Sequence, residues 1–302
     1  TSADKIDGGT GTNNTLILTN AEATAATTAQ SNVKNIQNIQ VGGGGAGDPL
    51  NGTVSVNNFG ATATGFILGG NLAGNGTVNY ASGTNSLNLG TSTNGGGANT
   101  LTANISGTAT TDVLNMTIGS PTAGNTFSLA GSGDVTLNGA ETVNLLSQGG
   151  ANTFGGNFTI NPTGAATSTL KITGNQNITF TGAVTANTID ASGMTGAGAL
   201  TLTAGTVGAA TITGTPNGVD TLTGSGVGDT IKAGNGTATI TGGAGADILT
   251  AGSGADTFVE AAGDSFNPSA AAATATVNNG DTITFGGGVD IINKFTTLDK
   301  IQ

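Results

Sequence analysis

The chain has 302 residues, 55 of them glycine, with only 8% charged residues and a formal net charge of −11. It contains no His, Cys or Trp and its six basic residues are all Lys, which excludes Ser-His-Asp and Cys-His nucleophile systems, His or Cys zinc sites, thiol redox chemistry and arginine phosphate clamps. The acidic balance argues against a nucleic-acid partner, no apolar run approaches the roughly 20 residues that insert across a bilayer, and the oxygen donors that remain suit a hard cation such as calcium.

The chain opens at Thr1 without a signal-peptide pattern, so a processed product or a piece of a longer protein is expected. Asp7-Gly8-Gly9-Thr10-Gly11 reads as a glycine turn, and Asn14-Thr15-Leu16-Ile17-Leu18 and Ile36-Gln37-Asn38-Ile39-Gln40-Val41 read as short strands. Between them, residues 21–30 have helical character behind the candidate N-cap Asn20, but Thr24, Thr27 and Thr28 weaken it, so little or no helix is expected. Four consecutive glycines within residues 42–47 read as a linker closing an N-terminal β unit, 1–47. In 48–214 the groups 53–56, 86–89, 135–137, 169–172, 177–180 and 200–202 alternate apolar with polar residues and end in turn formers. Each is a half-buried strand, and together they predict a stacked, β-rich structural region. Asn-x-Ser/Thr triplets recur through this part of the chain, among them those at Asn51, Asn75, Asn104, Asn157 and Asn177.

From Thr215, five nine-residue frames run end to end, opening at Thr215, Gly224, Ala233, Gly242 and Ala251. Their eighth residues are apolar: Leu222, Ile231, Ile240, Leu249 and Phe258. Their sixth residues are Asp220, Asp229, Ala238, Asp247 and Asp256. The fourth frame fits G-G-x-G-x-D-x-U-x at every fixed position, a pattern in which glycines permit positive φ, the aspartate brings charge and the last triplet forms a short strand. A single turn aspartate is explained by accepting backbone N–H bonds; repetition in register favours an ion. A roll over 215–265 follows, and 266–302 reads as a loop, alanine-rich over 266–277, and a capping segment.

These frames resemble the RTX (repeats-in-toxin) proteins exported by type I secretion. The resemblance implies a parallel β-roll in which two frames make one coil and calcium lies between turns two frames apart. Carried over, it pairs Asp229 with Asp247 as calcium ligands, with backbone carbonyls around Gly224, Gly226, Gly242 and Ala244. Asp220 and Asp256 fall on the opposite row, where Ala238 interrupts the series and implies weaker binding; Val227 stands where the family has glycine. The end of the chain, Asp290-Ile291-Ile292-Asn293-Lys294-Phe295 and Asp299-Lys300-Ile301, is similar to the segment that caps such rolls.

A second likeness lies in Asp112-Val113-Leu114-Asn115-Met116 followed by Ala140-Glu141-Thr142-Val143-Asn144-Leu145. The arrangement is similar to that of RTX-type surface-layer proteins of the Caulobacter type. It implies an extracellular, bacterial cell-surface protein that assembles into a lattice or filament of identical copies, with calcium supporting fold and contacts and a cell-surface polysaccharide as a further partner. The fold class expected is all-β, a parallel β-solenoid or β-roll with calcium-binding nonapeptide turns. A repeat-rich stalk or binding region of a type I-secreted adhesin is the alternative. Glu141 with Asp112 or Asp134 are the midchain acids an enzyme could use, but solvated turn acids are the simpler reading and no enzymatic activity is expected.

Overall fold

The computed structural model describes residues 5–42, 48–90, 97–129, 131, 133–164, 166–206, 208–259, 281–284 as backbone, and 290–302. Residues 43–47 of the expected linker, and the alanine-rich interval, lie outside them. Strand accounts for 49% of the protein and helix for 4%, which settles the class as all-β, built as a parallel β-solenoid. The chain divides into two compact units, Thr1–Ser168 and Thr169–Gln302.

Each coil contributes one strand to each of two sheets. In the first unit one sheet takes Thr15–Leu18, Asn38–Val41, Gly65–Leu68, Thr84–Gly90, Val113–Ile118 and Thr142–Ser147, paired parallel in that order. The other takes Leu50–Ser55, Leu72–Ala81, Leu101–Ser106, Val135–Asn138 and Phe158–Asn161. The second unit repeats the scheme with Thr169–Gly174, Thr188–Met194, Thr211–Thr213, Thr230–Lys232, Ile248–Thr250 and Ile291–Phe295 in one sheet. The opposite sheet holds Ile178–Thr185, Leu200–Ala204, Asp220–Thr223, Ala238–Thr241, Thr257–Val259 and Lys300–Ile301. Asp281–Thr284 adds an antiparallel strand beside Ile291–Phe295.

The alternation read in the sequence explains this stacking, because successive side chains of a strand point to opposite faces. Parallel pairing in register then piles the inward residues into rows. Ile212, Ile231, Leu249 and Ile292 form one such row, each fully buried. Leu222, Ile240 and Phe258 form the row facing it from the other sheet. Each of these side chains contributes about 1.5–3 kcal/mol by leaving water. In the first unit Val54, Val78, Ala103, Leu137 and Ile160 are aligned in the same way. Phe127, Phe154 and Phe158 close a corner of that core, their ring centroids 5.0 Å apart at each step.

Outward residues are aligned too. Thr53, Thr77, Thr102, Thr136 and Thr159 form one row, and two residues further along each strand Ser55, Asn79, Asn104, Asn138 and Asn161 form a second. The second unit carries Thr201, Thr221, Thr239 and Thr257 in one register row.

One short helix, Asn20–Ala25, is present where little or none was expected. Its N-cap is Thr19 and not Asn20: the Thr19 hydroxyl accepts from the Glu22 amide while the Glu22 carboxylate accepts from the Thr19 amide. This reciprocal box satisfies two otherwise orphaned donors and outweighs the weak propensity of the threonines. Among the described residues no helix is long and apolar enough to cross a membrane.

Candidate cation-binding columns

In the roll each aspartate stands at the entry of its strand, where the turn hands the chain back to the sheet. Asp229 and Asp247 are buried, 2% and 1% exposed. The Asp229 amide donates to Asp247 Oδ1 at 2.6 Å, and the Ala210 amide donates to Asp229 Oδ1 at 2.6 Å. Asp229 Oδ2 accepts from the Ser225 amide of its own turn at 2.5 Å. The Asp229 carboxylate therefore closes its own turn with one oxygen and reaches back to the preceding coil with the other. The same reach joins the Asp247 amide to Asp290 Oδ1 at 2.9 Å. Asp229, Asp247 and Asp290 thus form one buried column.

The opposite column is interrupted where the sequence has Ala238. Asp220 accepts from the amides of Leu200 at 2.9 Å and Thr215 at 2.7 Å, and from the Thr215 hydroxyl at 2.8 Å. Its own amide has no carboxylate to meet and donates to the Thr237 carbonyl at 3.0 Å. Beyond the gap the pattern resumes: the Ala238 amide donates to Asp256 Oδ1 at 2.9 Å and the Asp256 amide to Asp299 Oδ1 at 2.8 Å.

Asp290 and Asp299 extend the two columns of aspartates. They follow Asp247 and Asp256 by 43 residues, where neighbouring steps in the columns take 18. The nonapeptide frame resumes after an insertion, with Ile292 and Ile301 as its apolar eighth residues. Asp290 and Asp299 nine residues apart, each two before an isoleucine, are the signal that locates these frames.

The backbone partners are only partly gathered. Gly224 and Gly242 lie where successive turns press together: a Cβ on Gly224 would overlap the Gly242 carbonyl, and one on Gly242 would overlap the Asp247 carboxylate. Gly226 and Ala244 instead stand exposed at the turn tips. In the fourth frame Gly243 and Gly245 take φ of 93° and 129°, the left-handed region that glycine alone enters cheaply. Ser225 and Val227, at the matching places of the second frame, do not enter it.

The midchain acids repeat the same device. The Asp112 amide donates to Glu141 Oε2 at 2.7 Å across 29 residues, and Asp112 Oδ1 accepts from the Gly83 amide and the Ser82 hydroxyl. Asp134 Oδ1 accepts from the Asn157 amide at 2.8 Å. These residues are stitches between coils of the first unit.

No protein-family model, curated protein or solved structure matches the chain. The physical chemistry of the columns is therefore read from this chain alone.

Burial pushes the Asp220 carboxyl up from its ordinary value against the bonds from Leu200 and Thr215 that favour its charged form. Burial likewise raises Asp256, and the neighbouring carboxylates of Asp299 and Asp220 add to the rise. Among the described residues no three acids gather into one metal-binding cluster; the columns offer acids singly, one per coil, with backbone oxygens between. Stacked, desolvated carboxylates need a compensating proton or cation. A carboxylate that accepts one bond per oxygen retains lone pairs, and an all-oxygen donor set suits calcium. In the first unit Asp112 Oδ2 is buried without a hydrogen-bond partner. On donor chemistry the residues fit a hard cation.

Proposed function

We infer that the protein is a structural subunit of a self-assembling extracellular layer or filament whose roll is stabilised by calcium. The observation that carries this reading is the column of Asp229, Asp247 and Asp290, three buried acids in successive coils. Asp229 and Asp247 would hold the ion with backbone oxygens of the glycine turns, and Asp290 would extend the series. Bound calcium would supply the positive charge that an acidic chain with 17 acids and six lysines cannot. Because the columns exist only in the coiled state, ion binding adds to folding stability.

A solenoid suits a scaffold because each coil contacts its neighbours and length is gained by repetition. The acids that an enzyme could use are engaged in backbone bonds between coils, which favours a structural role for them. An adhesin stalk would share the calcium chemistry and differ in remaining monomeric. Electron microscopy and thermal melts of the purified protein in calcium and in EDTA test the reading. Ordered assemblies and a raised melting temperature in calcium are expected; an unchanged melt overturns the calcium role, and monomers under all conditions overturn the assembly.

A further inference from the structure

We propose that the outer face of the sheet Leu50–Ser55 to Phe158–Asn161 docks against the same face of a second copy of this chain. The proposal rests on the assembly reading above and names its contact surface.

The face is a regular array. Its threonine row and its amide row run across five strands without a register shift between Gly52 and Asn161. Strands about 4.8 Å apart and alternate residues about 6.6 Å apart give a two-dimensional lattice of hydroxyls and amides some 19 Å long. The amide row is also fixed in place: Asn161 donates to Asn138 at 2.9 Å, Asn138 to Asn104 at 2.8 Å, Asn104 to Asn79 at 2.9 Å, and Asn79 to the Ser55 hydroxyl at 3.2 Å. Every row member is half-buried or exposed, so it remains open to a ligand. Each amide in the chain keeps a second N–H and a spare lone pair, and each threonine keeps its hydroxyl. Side chains already ordered lose little freedom on docking.

Two features select a second copy as the occupant. The first is charge. Copies of a chain at −11 repel one another, yet none of the ten positions in the two rows is charged, and Asp134 at the margin is bonded to the Asn157 amide. Two copies meeting here bury no carboxylate. The second is period. A receptor gains from repeating one contact five times only if its ligand repeats at the same interval, and a second copy does so by construction. A sugar polymer would be expected to stack on aromatic rings, but Tyr80, on one of these strands, is buried. The other sheet of this unit is a less regular array, since Gly65 adds no side chain to its outer row, where Asn38 and Ser86 close over it, and Ile17 stands 58% exposed. The face is small against a standard protein interface, so one contact is weak and assembly depends on several acting together.

The test uses the full chain in calcium. Sedimentation across a concentration series should show self-association that weakens at least tenfold in the double variant Thr77→Lys, Thr136→Lys, which sets like charges on the face at strands that are not direct neighbours. Far-UV circular dichroism and the melting temperature should be unchanged, and Asn88→Lys on the other sheet should associate as the wild type does. The chain has no cysteine, so Thr102→Cys should be cross-linked into dimers by a bismaleimide while Asn88→Cys should not. If the lysine variant associates like the wild type, the docking face is wrong and the assembly reading survives. If the wild type never associates, both fall. A monomeric wild type that inhibits ice recrystallisation or retains a glycan, and loses that property in the lysine variant, assigns the face to that ligand and overturns the docking.

Discussion

The backbone amide of Asp229 donates to the side chain of Asp247 across 18 residues and one coil. One carboxylate thereby satisfies a buried N–H and, on the calcium reading proposed above, would also place charge beside the ion. Substitution at Asp247 separates the two roles. Asp247→Asn keeps the acceptor and removes the charge, whereas Asp247→Ala removes both and leaves a buried donor unmatched, at about 1–3 kcal/mol. In EDTA the asparagine variant should melt at or above the wild-type temperature and the alanine variant below it. In calcium both should gain less than the wild type. Equal behaviour of the two variants in EDTA would show that the amide bond contributes nothing.

Calcium should stabilise by mass action, about 2.7 kcal/mol when its free concentration is a hundred times the dissociation constant. Calorimetric melts over a calcium titration measure this. The increment should grow with the logarithm of concentration once the sites are filled, and magnesium, which dehydrates reluctantly and demands octahedral geometry, should give less.

Without the ion, the two raised carboxyls set a pH dependence. Asp220 and Asp256 titrate above the ordinary value of 3.8 when folded, so the folded state holds more protons than the unfolded one between those limits. Their favourable contribution is complete below the unfolded value and is lost as pH rises through the folded value. In EDTA these two groups should therefore lower the melting temperature as pH is raised from about 4, the ordinary carboxylate value, through their raised folded values. Asp7 and Glu22 are lowered by hydrogen bonds to Gly9 and Thr19 and work in the opposite direction, but both are fully exposed. An Asp220→Asn, Asp256→Asn variant should flatten the slope; an unaltered slope would place the titration elsewhere.

How far the sequence predicts this molecule depends on the spacing of its repeats. In the roll, nine-residue frames without gaps make Leu222, Ile231, Ile240 and Leu249 recur visibly, and their strands and inward rows are where that period puts them. In the first unit the same stacking is hidden, because the steps from Ser55 to Asn79, Asn104, Asn138 and Asn161 are 24, 25, 34 and 23 residues. Strand register alone aligns them, and the Asn-x-Ser/Thr triplets at Asn51, Asn75 and Asn157 are the trace of that alignment in the sequence. Asp290 and Asp299 read as part of a capping segment, and their place in the columns is hidden because an insertion breaks the count. The capping box at Thr19 was legible as Thr-x-x-Glu, but Asn20 competed for the same role.

The gap at Ala238 offers the most direct test of the columns. Its side chain is buried at 1% exposure beside Asp220 and Asp256, and the Asp220 amide bonds the Thr237 carbonyl in place of a carboxylate. Ala238→Asp completes the column of Asp220, 238, Asp256 and Asp299. In EDTA a further buried like charge should lower the melting temperature, since each uncompensated carboxylate in such a stack carries a desolvation penalty. Calcium should reverse the loss and raise the measured stoichiometry in a calorimetric titration, because the interrupted row then repeats the arrangement of Asp229 and Asp247. If the variant is destabilised alike with and without calcium, the carboxylate columns are stitches between coils and do not hold the ion.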